Sequence, residues 1–342
     1  MLQPRGQSST SFKGVIYRWI LPGFSAYAGR FDRAMIEGLR KRNDVAAVEK
    51  DVIWAQSGLV SQLKAPYYLN QISHRDLDKD HEGYVYYKNL IKPRIYVVDT
   101  GIYIEHREFS RRAIRGYNAA KGVFEDDVGH GTWVAGLIGG RKYGVIKNSI
   151  LVDVKVYNKE LKSRLSVLLD GYVWATKDAR KVSDYQPTII NMSLSPRTVG
   201  LHSFALNRAV ESAFNRGIST IMAAGNMNRT TTWADKAIVV GATDRHRRRA
   251  IWSNFGPDVS IFAPGSDIRS AALGPTGNET IVNNGTSGSA PLVTGVIASL
   301  QALHNIRKPR LVKDLLFTLA TPGIVADAQG AKNRFLYNGS GR

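Results

Sequence analysis

The chain has 342 residues, 43% hydrophobic and 22% charged, with 47 Lys and Arg against 28 Asp and Glu, a formal net charge of +19 and a pI near 10.0. That length can bury a large core plus a small accessory unit, and the basic surplus favours non-specific adhesion to polyanionic surfaces. The absence of cysteine excludes disulfides, a thiol nucleophile and a Cys-ligated metal; no apolar run approaches the roughly 18 residues of a membrane span, and the opening MLQPRGQSSTSFKG lacks the apolar core of a signal peptide.

In the first 60 residues, GFSAYAGRF alternates like a strand. DRAMIEGLRKRN then offers Asp32 as a helix N-cap with Met35, Ile36 and Leu39 on one face, and VAAVEKDVIW returns as a second strand. AQSGLVSQLK, residues 55 to 64, is the candidate linker, which predicts a small unit over 1–60 that docks on a larger domain over 61–342. From residue 93 onward, five runs are short, β-branched and apolar on both faces: RIYVVD (94–99), SILVDVKVY (149–157), TIINMS (188–193), ISTIMAAG (218–225) and AIVVGA (237–242). Such runs suit strands buried in a parallel sheet. Helical patterns lie near 131–139, 165–182, 203–216, 287–303 and 309–320. This alternation predicts an α/β fold, a three-layer αβα domain whose ligand crevice lies at the carboxyl ends of its strands.

Chemistry-bearing residues gather at those strand ends and helix starts. Asp99 ends a strand in VVDTGI, His130 opens a helix in GHGTWVAG, and Asn226 follows a strand in AAGN. The stretch NNGTSGSAPLVTG adds Ser287 and Ser289 at the start of an apolar helix, with Pro291 expected in its first turn. Serine needs a base to take its proton, and imidazole needs a carboxylate to hold its tautomer, so Asp, His and Ser supply a nucleophilic set. Asn226 and a backbone N–H at the helix start would supply oxyanion donors. Local spacing leaves both serines open: either suits simple capping, and neither completes Gly-x-Ser-x-Gly. The densest basic cluster, Arg245-His246-Arg247-Arg248-Arg249, has no interleaved aromatics and reads as a solvated turn rather than a nucleic-acid groove. A nucleotide-binding α/β protein is excluded because no Gly-x-Gly-x-x-Gly follows the first strand and no P-loop is present.

These residues resemble the subtilisin-type serine proteases (subtilases), in the branch of proteinase K, from about residue 65 to 305. The resemblance rests on YVVDTGI, GHGTWVAGLIGG, YGVIKNSILVDVKVY, NMSLS, AAGN, VVGATDRHRRRAIWSNFGPDVSIFAPG and NGTSGSAPLVTG, in family order. It implies a serine endopeptidase with Asp99, His130 and Ser287 as triad and Asn226 in the oxyanion hole. Ser193, Leu194, Ser195, Ala223, Ala224 and Gly225 would line the substrate cleft. Residues 1–60 resemble the second half of the family's inhibitory propeptide, without its opening strand and helix. This implies a zymogen that cuts itself between about Ala55 and Lys64, acts on proteins or peptides as a monomer, and is secreted or vacuolar.

The chain also departs from the pattern. Gly288 stands where the family usually has Met, loosening the helix start by about 1 kcal/mol on propensity grounds, and Leu292 stands where it usually has His. Ser195-Pro196-Arg197 replace glycines beside the substrate, and Leu161-Lys162-Ser163-Arg164 on the facing segment is unusually basic, which favours acidic or extended polar substrates. No cofactor is expected: a calcium-binding carboxylate of the branch aligns with Ser260. DLDKDHEG (76–83) has His81 where an EF-hand needs glycine, and so reads as a surface turn. His74, His81, His106, His202, His246 and His304 show no metal-ligand spacing. Asn228 and Asn278 match glycosylation acceptors. The pocket departures and the charge favour an alternative: a catalytically weak subtilase acting as a basic binding protein.

Overall fold

The structure is a computed structural model that describes residues 14–49, 58–76, 83–182, 186–194, 203–231 and 236–342. The chain divides into two compact units, Met1–Gln56 and Ser57–Arg342. In the first, β1 (Val15–Leu21) and β2 (Phe24–Gly29) form an antiparallel hairpin around Pro22-Gly23, where Gly23 takes φ 78°, as a tight turn with Pro before Gly requires. Helix α1 (Arg33–Arg40) starts where the sequence predicts, with Asp32 Oδ1 accepting the Met35 N–H at 2.8 Å. Met35, Ile36 and Leu39 are its half-buried side chains. The predicted strand over VAAVEKDVIW is not formed at residues 45–49; its remainder lies outside the described residues. The pairing partner of β2 is instead β1, the nearest extended segment, joined to it by a two-residue turn.

The second unit runs in the order β3 (Leu59–Gln62), α2 (Tyr67–Gln71), β4 (Tyr84–Tyr87), β5 (Arg94–Asp99), β6 (Ala113–Asn118), α3 (His130–Gly139), β7 (Ile150–Lys155), α4 (Leu165–Ala179), β8 (Thr188–Met192), α5 (Phe204–Asn215) and β9 (Ser219–Ala223). It continues with β10 (Ile238–Thr243), β11 (Ile261–Pro264), β12 (Ile268–Ala271), β13 (Thr280–Asn283), α6 (Thr286–His304), α7 (Pro309–Leu319), β14 (Thr321–Pro322) and β15 (Arg334–Phe335). Nine strands form one sheet in the order β14-β15-β11-β10-β9-β8-β5-β7-β6, parallel except at the β14–β15 pair. Alternate residues of β5 feed two cores. Ile95 and Val97 pack with α3 and α6 on one face, while Tyr96 and Val98 pack with α4 and α5 on the other. The result is the predicted helix–sheet–helix sandwich. From β5 the chain moves out to β6, returns through β7, and only then crosses to β8 on the other side. The strand order therefore reverses beside β5, where an open parallel sheet leaves a crevice at its carboxyl ends.

Two local expectations are corrected. Helix α6 begins at Thr286, so Pro291 is inside it rather than in the first turn, and its missing N–H leaves the Ser287 carbonyl without the usual helical partner. The basic cluster is only partly a solvated turn. Arg247 and Arg249 are buried: Arg247 donates to the carbonyls of Arg75 and His74, and Arg249 pairs with Asp327 at 2.8 Å and donates to the Ser253 carbonyl. Arg245, His246 and Arg248 between them face solvent. The cluster is a tight turn, closed by the Arg247 N–H on the Asp244 carbonyl with Arg247 at φ 58°, and its two buried guanidinium forks each satisfy several carbonyls at once.

Candidate active site

Asp99 is the last residue of β5 and is fully buried. Its Oδ1 accepts the Thr100 N–H at 2.8 Å and faces His130 Nδ1 at 2.6 Å. A carboxylate only accepts, so Nδ1 carries the hydrogen and Nε2 is left to act as a base. Helix α3 reaches this position because Gly131 abuts the turn after β5: a Cβ there would stand 2.1 Å from the Gly101 carbonyl oxygen. Burial pulls the His130 pKa down, but the Asp99 charge, the hydrogen bond to it and the more distant Asp126 charge together hold it above the ordinary histidine value. Its side chain remains 27% exposed, open to a reacting partner.

Asp126 organises this corner. Buried at 6% exposure, its carboxylate accepts from the Thr100 hydroxyl, from the N–H groups of Val128, Gly129 and Thr132, and from the Thr132 hydroxyl. The Gly129 cap has no side chain, so Asp126 satisfies donors that a helix start leaves without partners. The Thr100 hydroxyl also accepts the Gly131 N–H at 2.9 Å, which ties the turn after Asp99 to the helix carrying His130.

The two serines have separate surroundings. Ser289 is buried and its Oγ lies 3.0 Å from the carbonyls of Ala263 and Pro264, to which it donates. Ser287 is half-buried in the first turn of α6, where a backbone N–H has no helical acceptor. Gly285 before it takes φ 154° and ψ 154°, a conformation essentially restricted to glycine. A Cβ at Gly285 would stand 2.8 Å from Ser287 Oγ and 3.3 Å from Asn226 Nδ2, so hydroxyl and amide flank one small space above that glycine. The Asn226 orientation is fixed chemically: its Oδ1 accepts the Thr286 N–H at 2.9 Å and the Thr286 hydroxyl at 2.8 Å, and a backbone N–H can bond only to the oxygen. The Thr286 hydroxyl in turn accepts the Gly225 N–H.

Trp133, on the same helix as His130, links the two halves. Its ring centroid is 6.0 Å from that of His130, and a Cβ on Gly288 would stand only 2.7 Å from its Cη2. Gly288 therefore makes room for the indole, and α6 runs through it without a break.

The other predicted cleft residues stand at the ends of neighbouring strands. Ser193 and Leu194 follow β8, and Ala223 ends β9 with Ala224 and Gly225 beyond, the two strands being in register at Met192 and Met222. Ser195, Pro196 and Arg197 lie outside the described residues, as do His81, His202 and residues 77–82 of the aspartate-rich turn. Ser260 Oγ accepts the Val239 N–H at 3.2 Å. His74 and His106 are buried, with their ring nitrogens in hydrogen bonds to Asn70 and Glu279 carbonyls. Leu292 is packed in the apolar core. The roles of Asp126, Thr286 and Trp133 were not singled out in the sequence.

Comparison with known proteins gives the family of the chain. Residues 92–337 match the model of the subtilase family and residues 3–56 that of the peptidase inhibitor I9 family. An alkaline protease 1 from Aspergillus clavatus is 41% identical over 99% of this chain and 84% of its own length. An alkaline proteinase from Hapsidospora chrysogena is 40% identical over 99% and 87% respectively. A crystal structure of a cold-adapted subtilisin-like serine proteinase superposes with a TM-score of 0.73 at 34% identity, covering 80% of this chain and 98% of that one. The chain thus belongs to the subtilase family of serine endopeptidases and carries an inhibitor-type propeptide ahead of its peptidase domain.

Proposed function

We propose that Asp99, His130 and Ser287 form the catalytic triad and that the enzyme removes its own propeptide. In this reading Ser287 Oγ attacks the peptide carbonyl while His130 Nε2 takes its proton. Asp99 holds the imidazole in the required tautomer and stabilises the imidazolium. The negative charge that develops on the carbonyl oxygen is met by Asn226 Nδ2 and the Ser287 N–H, both fixed before the reaction begins. His130 then gives its proton to the leaving amine, and water repeats the cycle on the acyl-enzyme. Ser193, Leu194 and Ser195 on one side, and Ala223, Ala224 and Gly225 on the other, would hold the substrate as an added strand. Self-cleavage between about Ala55 and Lys64 would release the peptidase domain as a monomer, and resemblance to the family suggests secretion.

The observation that carries this reading is the Asn226 amide, locked by Thr286 so that Nδ2 faces the space beside Ser287 Oγ. Ser289, by contrast, has its hydroxyl engaged by two carbonyls. The test is labelling with a fluorophosphonate probe, alongside Ser287→Ala and Ser289→Ala, with the propeptide followed on the same gel. Labelling and processing should vanish in Ser287→Ala and persist in Ser289→Ala. Folded wild-type protein, freed of its propeptide, that takes no label would overturn the assignment.

A further inference from the structure

The peptidase unit carries a second concave feature that the catalytic chemistry does not use. It is a cleft of about 490 Å³ into which Lys64, Lys142, Arg245 and Arg269 bring four positive charges against the one carboxylate of Asp267. Each of these cationic residues is exposed, and none has an ion-pair partner among the described residues. Some exposed arginines elsewhere on this unit find carboxylates, as in Arg208–Glu211, Arg248–Asp244 and Arg310–Asp314, and others stand alone, but in the cleft four such cations converge on one concave wall. The cleft is thus a local surplus of positive charge, and like charges around a concave wall attract an anion and gain from its arrival.

The shape of the wall selects among anions. Arg269 and Val282 are cross-strand partners in the two-stranded β12–β13 hairpin, and both line the cleft. On β12 the Ile268 and Arg269 carbonyls already accept from Trp133 Nε1 and the Tyr68 hydroxyl, so the edge open to an extended peptide is that of β13, which carries Val282 and can take main-chain hydrogen bonds. Val282 offers apolar surface, and the Arg245 guanidinium lies 4.9 Å from the Tyr67 ring centroid, a cation–π contact that leaves its N–H groups without an ion-pair partner among the described residues. The volume suits a short peptide segment. Cations for carboxylates, a strand edge for backbone and apolar surface for side-chain stems together match an acidic peptide better than a bare ion or a sugar chain.

We propose that this cleft is an exosite for a carboxylate-rich segment of the protein substrate. It is wired to the proposed nucleophile loop, and in this step rests on the assignment of Ser287. The Tyr67 hydroxyl donates to the Ser266 carbonyl, the Asp267 N–H donates to Asn284 Oδ1 at 2.6 Å, and the Gly285 N–H donates to the Gly265 carbonyl at 2.9 Å.

The experiment uses the full chain with Ser287→Ala, so that no probe is cut, and reads fluorescence anisotropy of a labelled octaglutamate peptide against its octaglutamine counterpart at low and moderate salt. The glutamate peptide should bind, weaken steeply with salt, and lose about tenfold or more in affinity when Arg245→Glu and Arg269→Glu are introduced together. Arg208→Glu with Arg310→Glu, which changes net charge equally away from the cleft, should change affinity less than about twofold. Lys64→Gln with Lys142→Gln should give a smaller loss in the same direction, which guards against a misfolded charge-reversal variant. Equal losses in the cleft and control variants, equal binding of octaglutamine, or binding of a sulfated oligosaccharide without binding of octaglutamate would each overturn the proposal. Because binding is read without turnover, its failure is separate from a failure of Ser287 to take the fluorophosphonate.

Discussion

Replacing Gly288 by alanine tests whether the two halves of the site are braced against each other through Trp133. On helix propensity alone the change should stabilise α6 by about 1 kcal/mol. The structure reverses that sign. The added Cβ would meet Trp133 Cη2 at 2.7 Å and Cζ2 at 3.3 Å, and the indole cannot withdraw, because it is 1% exposed and its Nε1 donates to the Ile268 carbonyl at 3.0 Å. Forcing a methyl into a packed core costs about 1–3 kcal/mol, so Gly288→Ala should lose up to about 2 kcal/mol net. A smaller ring removes the conflict: in a Trp133→Phe background the same Gly288→Ala should be neutral or stabilising, giving a coupling of about 1–3 kcal/mol in a double-mutant cycle. Urea unfolding in a Ser287→Ala background avoids self-digestion, and kcat/KM of the active forms reports whether the displaced indole disturbs His130, whose ring centroid is 6.0 Å away. Additive effects, or a Gly288→Ala protein more stable than the parent, would refute the idea that glycine is there for the indole.

The remaining predictions concern proton and hydrogen-bond placement. Catalysis needs neutral His130, whose pKa Asp99 holds above the ordinary value, so kcat/KM should fall with acid through a midpoint above about 6.5; a flat profile from about pH 5 to 8 would contradict this. Asp99→Asn should cut kcat by about 10⁴-fold and move any residual acid limb downward; unchanged kcat would remove Asp99 from the triad. Asn226→Ala should lower kcat by about 10²–10³-fold, the cost of one oxyanion donor in subtilisin. Thr286→Val should give a smaller fall with KM little changed, since it leaves the backbone donor to Asn226 in place. Asp153 is buried and its pKa is raised to about 7, with burial outweighing its pairing with Arg115. The folded state therefore holds a proton that the unfolded chain releases near pH 4. Its contribution is full below about pH 4 and lost as pH rises toward 7, so the stability of Asp153→Asn relative to the parent should improve across that window. Parallel pH–stability curves for the two proteins would sink the argument.

The five runs that are apolar on both faces all became strands of the central sheet, because in a parallel sheet burial on both sides leaves a continuous apolar signature in the sequence. Ala113–Asn118 shows why others were missed. AIRGYN is the edge strand β6, half-buried and polar, and its register shifts across Gly116, so neither periodicity nor apolar content marks it. The β12–β13 hairpin is short and joined by a loop of several residues, which leaves no two-residue turn signal to find. The strand expected over VAAVEKDVIW failed at residues 45–49 for a related reason: an apolar run states a preference for burial, while strand formation also needs a partner edge.

The candidate site divides along the same line. Asp99, His130, Asn226 and the pair Ser287 and Ser289 were legible as candidates because each is a reactive residue near glycine at a strand end or helix start, a local pattern, while the choice of Ser287 over Ser289 came from the family resemblance. The residues that hold them were not legible, because their roles exist only across long sequence separations. Thr286 acts on Asn226 sixty positions earlier, and Gly288 makes sense only once Trp133 is seen against it. Asp126 is the clearest case. In the sequence it is one of two aspartates in a polar loop, while in the fold its single carboxylate accepts five hydrogen bonds. Asp126→Asn should therefore be far worse than an isosteric swap suggests. An amide offers one acceptor oxygen where the Thr132 pair and the Thr100–Gly129 group each use one, so one set must face an N–H₂ donor. The loss should appear as lower kcat and a displaced pH profile, because Thr100 and Gly131 would no longer fix the turn of Asp99 against the helix of His130. A variant that is merely less stable, with kcat and the pH profile unchanged, would reduce Asp126 to a helix cap.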